Sequence, residues 1–306
     1  MIRFVGQRLM QAAIVVIIVT LFVSYIIRLT GDPAVMLTAN AVNVTAEDLE
    51  RIREALGLNQ PFIFQYLSFM GGLVTGDLGT SFFRGSVARL VSIALPATLL
   101  LAFSSMVVSI LLSIPLGIHA ATHRGGLADQ LIRVLSLVGL SFPNFWLAMM
   151  LVLLFSIVLP IFPASGFSGP LSLVLPAFTI GVILTAINVR LVRTTMLETL
   201  SAQYIMVARS KGLRERVVVY KHALRNCAIA LVTYLGLQFG NLIGGIVVVE
   251  LVFNWPGMGT LAINAISQRD YPVLQACISI LAIMIVAVNL AVDLVYGLID
   301  PRIRTE

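Results

Sequence analysis

Residues 9–27 read LMQAAIVVIIVTLFVSYII, an unbroken stretch with no Asp, Glu, Lys, Arg or His. A helix needs about 20 mainly apolar residues to cross roughly 30 Å of hydrocarbon, so this stretch reads as a membrane span. Five more runs follow at about 95–121, 131–159, 171–191, 228–253 and 273–299. The third is interrupted by Ser141, Pro143 and Asn144. Arg3 and Arg8 give the first run the look of a signal peptide. No small-x-small cleavage site follows closely and five spans come after it, so it reads as an uncleaved first helix. The expected fold class is an all-α integral membrane protein with six transmembrane helices, in a single domain over residues 1–306.

The composition agrees. The 306 residues are 59% apolar and 11% charged, with a mean hydropathy of +1.01. A soluble domain is roughly a quarter charged, so too few charges are present to coat a wet surface. This excludes an ordinary soluble enzyme, a disordered tail and a fibrous repeat. The net charge is +6 and the pI near 9.7. In a membrane protein that surplus belongs to basic cytoplasmic loops rather than to nucleic-acid binding. Of 20 basic residues, Arg28, Arg51, Arg53, Arg84, Arg89 and Arg269 fall on one side of the six spans. The other 14 share the side of both termini, which is therefore expected to be cytoplasmic.

Two loops are too long to be simple connections. The first, about 28–94, is external on this orientation and contains a readable helix. Thr45 can cap it, Asp48 completes a capping box, and Leu49, Ile52 and Leu56 make one apolar face before Gly57 stops it. It reads equally as a helix lying on the membrane surface or as part of an external docking or lid structure. The second, about 192–226, is cytoplasmic and carries most of the internal charge.

Catalytic patterns are absent. The only lysines, Lys211 and Lys221, follow no glycine, so there is no Gly-Lys-Ser/Thr phosphate loop. There is no Gly-x-Ser-x-Gly elbow. His119 and His123 share a helix face, but Ala120 stands where a zinc protease needs Glu. Cys227 and Cys277 are expected about a bilayer apart, too far for a disulfide. Asp293 is the clear acid within a span, placed near its cytoplasmic end. One shallow acid is a poor basis for a proton-coupled carrier, which points to an energy source in another chain.

The stretch Glu198–Asn226, ETLSAQYIMVARSKGLRERVVVYKHALRN, carries the functional signal. Tyr204–Lys211 can form a short helix ending at Gly212, where a left-handed residue fits. Helix then resumes through Val217–Tyr220 into the fifth span. A short rigid helix joined by Gly is a knob that another protein can grip. In the fifth span Gly236, Gly240 and Gly244 recur every four residues beside Gln238 and Asn241, a smooth face for close packing or for bordering a path. Asn254, Trp255, Pro256 and Gly257 join the last two spans outside, with Trp255 and Pro256 suited to anchoring at the interface.

This stretch resembles the signature loop of inner-membrane permease subunits of binding-protein-dependent ABC importers. Glu198, Ala208, Gly212, Arg225 and Asn226 occupy the pattern's places. Tyr204-Ile205, Ala208–Leu213 and His222–Asn226 are typical of the dipeptide/oligopeptide/nickel branch. So are Gly31–Pro33, Leu56–Leu58, Gly76–Ser81, Ser141–Pro143, Asn254–Gly259, Arg269–Pro272 and Asp300–Arg304. Gln203 departs from it, since this branch usually carries Asp or Glu there. The resemblance implies a permease fold with residues 204–211 as a coupling helix seated on a cytoplasmic ATPase. Tyr204, Arg209 and Lys211 would make its contacts and Gly212 its turn. It implies a second homologous permease subunit, two ABC ATPases that bind ATP and Mg, and an extracytoplasmic substrate-binding protein. The chain itself would be non-catalytic, hold no cofactor or metal, and lie in a prokaryotic inner membrane. Its substrate would be a dipeptide or oligopeptide, with glutathione or nickel chelates as the alternative. The Asn254–Gly257 loop would then serve the external gate and binding-protein docking. Two other readings compete. A secondary carrier predicts buried midplane charges and inverted repeats, and a membrane-embedded enzyme predicts convergent His, Cys, Ser or Asp groups.

Overall fold

The computed structural model describes residues 2–29, 31–38 and 45–299. The Asp300–Arg304 motif lies outside them. The chain divides into two compact units, residues 1–98 with 256–290 and residues 99–255 with 291–306.

In the first unit, α1 (Ile2–Leu29) is followed by α2 (Pro33–Thr38), α3 (Ala46–Ala55) and α4 (Phe62–Thr75). Strands β1 (Thr80–Ser81) and β2 (Gly85–Ser86) form a small antiparallel hairpin with Thr80 opposite Ser86. The unit also holds the first turns of α5 (Val87–Thr122), then α13 (Met258–Gln268) and most of α14 (Tyr271–Ile299). Val87, Val91 and Ala94 of α5 pack with Met258, Leu261 and Ala265 of α13 and with Val273, Ala276 and Cys277 of α14. Polar groups inside the unit find each other, as buried groups must. The Thr20 and Tyr66 hydroxyls lie 3.0 Å apart, and the Gln275 amide donates to Ser24 Oγ at 2.7 Å.

The expected capping box of α3 is present. Thr45 Oγ1 accepts from the Asp48 N–H, and Asp48 accepts from the Thr45 N–H at 3.1 Å. The Thr45 hydroxyl also donates to Asp48 and holds its carboxyl below the ordinary carboxylate value. Gly57 follows in the left-handed region, with φ 66°.

In the second unit, α5 continues. It is followed by α6 (Leu127–Ser141), α7 (Asn144–Val152), a π-helical stretch over Leu153–Val158 and a 3-10 turn at Pro170–Leu173. Then come α8 (Val174–Leu200), α9 (Gln203–Ser210), α10 (Glu215–Val217), a second π-helical stretch over Val218–Ala223, α11 (Leu224–Gly245) and α12 (Val247–Val252). Helices α5 and α8 approach closely because glycines stand at the crossings. A Cβ on Gly181 would lie 2.6 Å from Val108, and one on Gly117 would lie 2.6 Å from Val192. The buried Asn188 amide donates across this contact to Ser109 at 2.8 Å.

The described residues give four to six spans. Among the described residues four helices are long and apolar enough to cross a membrane: Val5–Leu29, Val87–Thr122, Pro170–Leu200 and Tyr271–Leu294. The expected third span, 131–159, is not one rod. Its halves, Leu127–Ser141 and Asn144–Val158, meet at 99°. Pro143 explains the corner: it has no N–H for the helix ladder, and its ring drives Phe142 to extended backbone (φ −88°, ψ 132°). Residues 215–228 and 230–245 likewise meet at 49°, and α12 is a separate piece of the expected span 228–253. Six spans are counted only if each bent pair is taken as one.

Candidate functional site

Helix α9 stands where the sequence placed the short helix, and packing sets its orientation. Ile205 and Ala208 are buried on one face. They join Ile118 and Ala121 from the end of α5, Val192 and Met196 from α8, and Val218, Val219, Ala223, Cys227 and Leu231 beyond the turn. Burying a side chain such as Ile205 stabilises by about 1.5–3 kcal/mol, so α9 is fixed to the ends of three helices. Ala208 therefore serves inward packing rather than an outer contact. The opposite face presents Tyr204, Met206, Val207, Arg209 and Lys211, with Leu213, Val217 and Tyr220 continuing the exposed apolar surface. Single exposed apolar residues are ordinary, whereas several on one short helix make a surface suited to a partner.

The turn after α9 is built by Gly212 at φ 75°, whose N–H donates to the Arg209 carbonyl. Arg209 reaches across that turn to Glu215, with Nη2–Oε1 at 2.5 Å and Nε–Oε2 at 3.1 Å. The pair closes the turn as a clasp. Behind α9 the Asn226 amide donates to the Tyr204 hydroxyl at 2.8 Å, tying the helix to α11. Glu198 and Arg225 are both exposed.

A second feature braces the same region. Asp129, in the first turn of α6, is fully buried and accepts two hydrogen bonds from Arg193 of α8, at 2.6 and 2.8 Å. The Gly125 N–H donates to it at 2.9 Å. Arg193 follows Val192, a member of the core that holds α9. Sequence reading missed this pair, because its partners lie 64 positions apart and each alone resembles an ordinary loop charge.

The Asn254–Gly257 loop differs from expectation. Trp255 is fully buried and stacks edge-on against Phe167, with ring centroids 5.0 Å apart. It is a core residue and not an interfacial anchor; Asn254 and Pro256 are the exposed members, and Gly257 is buried. Asn254 holds φ 46° where α12 ends. The Phe253 carbonyl accepts from the Gly166 N–H at 2.7 Å and the Glu250 carbonyl accepts from the Trp255 N–H at 2.8 Å. Glu250 is fully buried on α12.

In α11, Gly236 has a packing role within the chain, because a Cβ there would lie 2.8 Å from Val292. Gly240 is buried, Asn241 and Gly244 are exposed, and Gln238 is half-buried with its Oε1 lacking a hydrogen-bond donor. The His119 and His123 rings lie 4.3 Å apart, yet among the described residues no group of three or more His, Cys, Asp or Glu side chains is placed to hold a metal.

Comparison with known proteins agrees with this geometry. Residues 113–305 match the family described as binding-protein-dependent transport system inner membrane component. Residues 1–102 match the family's N-terminal membrane component. The chain is 38% identical to the glutathione transport system permease protein GsiC of Escherichia coli, over 99% of each chain. It is 38% identical to the GsiC of Pectobacterium atrosepticum, over 95% of this chain and 94% of the relative. The fold also resembles inward-facing structures of the MetNI methionine ABC transporter, with TM-scores of 0.59 and 0.58 at 16% and 17% identity. Those matches cover 69% of this chain and 97% of the MetNI chain. A chain of apolar helices, bearing a short buried-on-one-side helix where the signature loop falls, is thus a permease: it belongs to the inner membrane components of binding-protein-dependent transport systems, within the peptide/nickel branch of ABC importer permeases.

Proposed function

We propose that the chain forms half of the translocation path of an ATP-driven importer, and that α9 is its coupling helix. The observation that carries this is the two-sidedness of α9. Its inner face is locked to the ends of α5, α8 and α11, while its outer face, with Met206, Val207 and Lys211, is exposed, apolar and basic. A push on that face moves the helices it is packed against, because packed cores shift as units rather than deform. In this reading two ATPase subunits bind ATP and Mg, close, and draw the coupling helices of this chain and a homologous permease together. The path then opens outward, a binding protein releases its ligand, and hydrolysis resets the inward state. Each bent helix pair counts as one span, giving six, with both termini cytoplasmic and the first unit's loops outside a prokaryotic inner membrane. The Asn254–Gly257 loop and the Gly236–Gly244 face contribute to the outer gate and the path. The chain performs no covalent chemistry.

The substrate is a short peptide, and glutathione is the first to test, because the full-length relatives carry that name. The experiment is uptake into proteoliposomes holding the full complex. Glutathione and dipeptides are offered with the cognate binding protein. ATP-dependent uptake of one of these is expected; uphill transport by this chain alone, driven by an ion gradient, would overturn the reading. Gly212→Asp tests the coupling helix. The expected result is ATP hydrolysis with transport lost, and wild-type transport per ATP would refute it.

A further inference from the structure

The six external arginines of the proposed orientation are not alike. Arg53 is paired with Asp32 and Glu50, at 2.7 and 3.2 Å. Arg51 lies near Glu47 and Asp48, and the Arg28 guanidinium sits 5.9 Å from the centre of the Phe62 ring. Arg84, Arg89 and Arg269 are exposed, and among the described residues none has an acidic or aromatic partner.

These three stand on one knitted surface of the first unit. Ser81 in β1 hydrogen-bonds the buried Asp270, whose other oxygen accepts from the Phe82 N–H at 3.3 Å. The same Ser81 oxygen accepts from the Phe83 and Arg84 N–H groups, at 3.1 and 2.9 Å. The turn carrying Arg84 is therefore clamped to the α13–α14 corner, where Arg269 is the neighbour of Asp270 and takes a left-handed backbone (φ 56°). Arg89 stands on the first turns of α5, which pack on α13 and α14 through Val87 and Val91. The carboxylates nearest in sequence are occupied locally: Asp270 by Ser81 and Phe82, and Asp77 by the Gly79 N–H at 3.1 Å. Phe83, 60% exposed, stands beside Arg84 in the hairpin turn.

We propose that this lip, which carries Phe83, Arg84, Arg89 and Arg269, docks an acidic surface of the extracytoplasmic binding protein. It rests on the permease reading above and adds the place and charge of one docking face. Phe and Arg are enriched at protein interfaces, and Arg is among the residues that dominate their energy. Unpaired like charges on one face attract an acidic partner and speed its arrival. Lipid phosphate is the competing occupant, and helix length disfavours it. Helix α5 has 36 residues, about 54 Å at 1.5 Å per residue, against a hydrocarbon core of roughly 30 Å. Its apolar run starts near Leu95, so Arg89 sits about 9 Å beyond it and the hairpin stands farther out.

The test uses the full complex in nanodiscs with the cognate binding protein, reading ATPase stimulation against binding-protein concentration. The charge reversal R84E/R89E/R269E should raise the half-maximal concentration at least tenfold and remove most of its salt dependence, with basal ATPase unchanged. The milder R84Q/R89Q/R269Q should give a smaller rise in the same direction, and F83A about a threefold one. Wild-type stimulation curves for the reversal and the Gln triple would overturn the proposal. So would a defect that disappears when anionic lipid is replaced by neutral lipid, since the arginines would then serve the membrane. A wild-type complex that the binding protein does not stimulate at all would instead overturn the permease reading, and this docking face with it.

Discussion

Two short helices on long loops, α3 and α9, are held by opposite physics. Helix α3 buries no residue. A capping box, the Arg53–Asp32 pair and the Asn59–Glu50 hydrogen bond at 2.7 Å fix it. Helix α9 has no side-chain cap, yet Ile205 is fully buried beneath it in a core drawn from three longer helices. Interactions between exposed charges weaken with salt and tolerate rearrangement. A packed apolar contact does neither. The first arrangement suits a surface that adjusts to a partner, and the second suits a lever.

The largest effect is expected where the lever's footing depends on a buried charge. Asp129→Ala leaves Arg193 facing a vacated site with only a minor share of its surface in water. Removing one member of a buried pair costs about 3–5 kcal/mol. Thermal unfolding in detergent should show a large loss of stability, and the complex should hydrolyse ATP with reduced transport. A Tm within a degree of wild type would show that α6 and α8 do not depend on the pair. Ile205→Ala comes next. A cavity under α9 costs about 2–5 kcal/mol, and the coupling ratio of transport to hydrolysis should fall, whereas Leu49→Ala in α3 should leave that ratio unchanged. Equal effects of the two would erase the contrast between the helices.

Gly212→Ala is smaller and local. Nothing lies within 4 Å of the added methyl group, so its cost is backbone strain alone. A side chain in the left-handed region costs about 1–2 kcal/mol. The Arg209–Glu215 clasp spans the same turn, so Glu215→Gln combined with Gly212→Ala should cost more than the sum of the two singles. Additive stabilities by denaturation would show that the turn and the clasp act independently.

What could be read beforehand was local. Thr45 and Asp48 are three apart, Gly57 and Gly212 each end their own helix, and the 192–226 loop announced α9 within a residue or two. Pro143 was visible too, but a proline gives the position of a break and not its angle; at this corner Phe142 stacks on Trp146, ring centroids 4.5 Å apart. Nonlocal features stayed hidden. Trp255 near a span end reads as an interfacial anchor until Phe167, 88 positions earlier, is seen against it. Asp129 and Arg193 looked like two loop charges for the same reason. Ala208 was legible as part of a motif, but its inward aim needed Val218 and Ala223, which fold back through a π-helical stretch with no sequence signal of its own.

The smallest expected effect sharpens the comparison from the α3 side, through pH. Thr45 donates from both its hydroxyl and its N–H to Asp48, and these bonds favour the carboxylate, with the nearby Arg51 adding to them. The folded carboxyl thus titrates below the ordinary 3.8. The sign follows from linkage: a depressed acid contributes stability above its unfolded value, and the contribution fades as pH falls through the folded one. Amide exchange in the first turn of α3, normalised to intrinsic rates, should stay protected from neutral pH down to near 3.8 and weaken below it. Asp48→Asn should flatten that profile. With the Arg209–Glu215 clasp removed by Glu215→Gln, exchange around Ile205 and Ala208 in α9 should follow neither change, because that buried face carries no titrating group; a matching acid transition there would mean that charge, not packing, seats it.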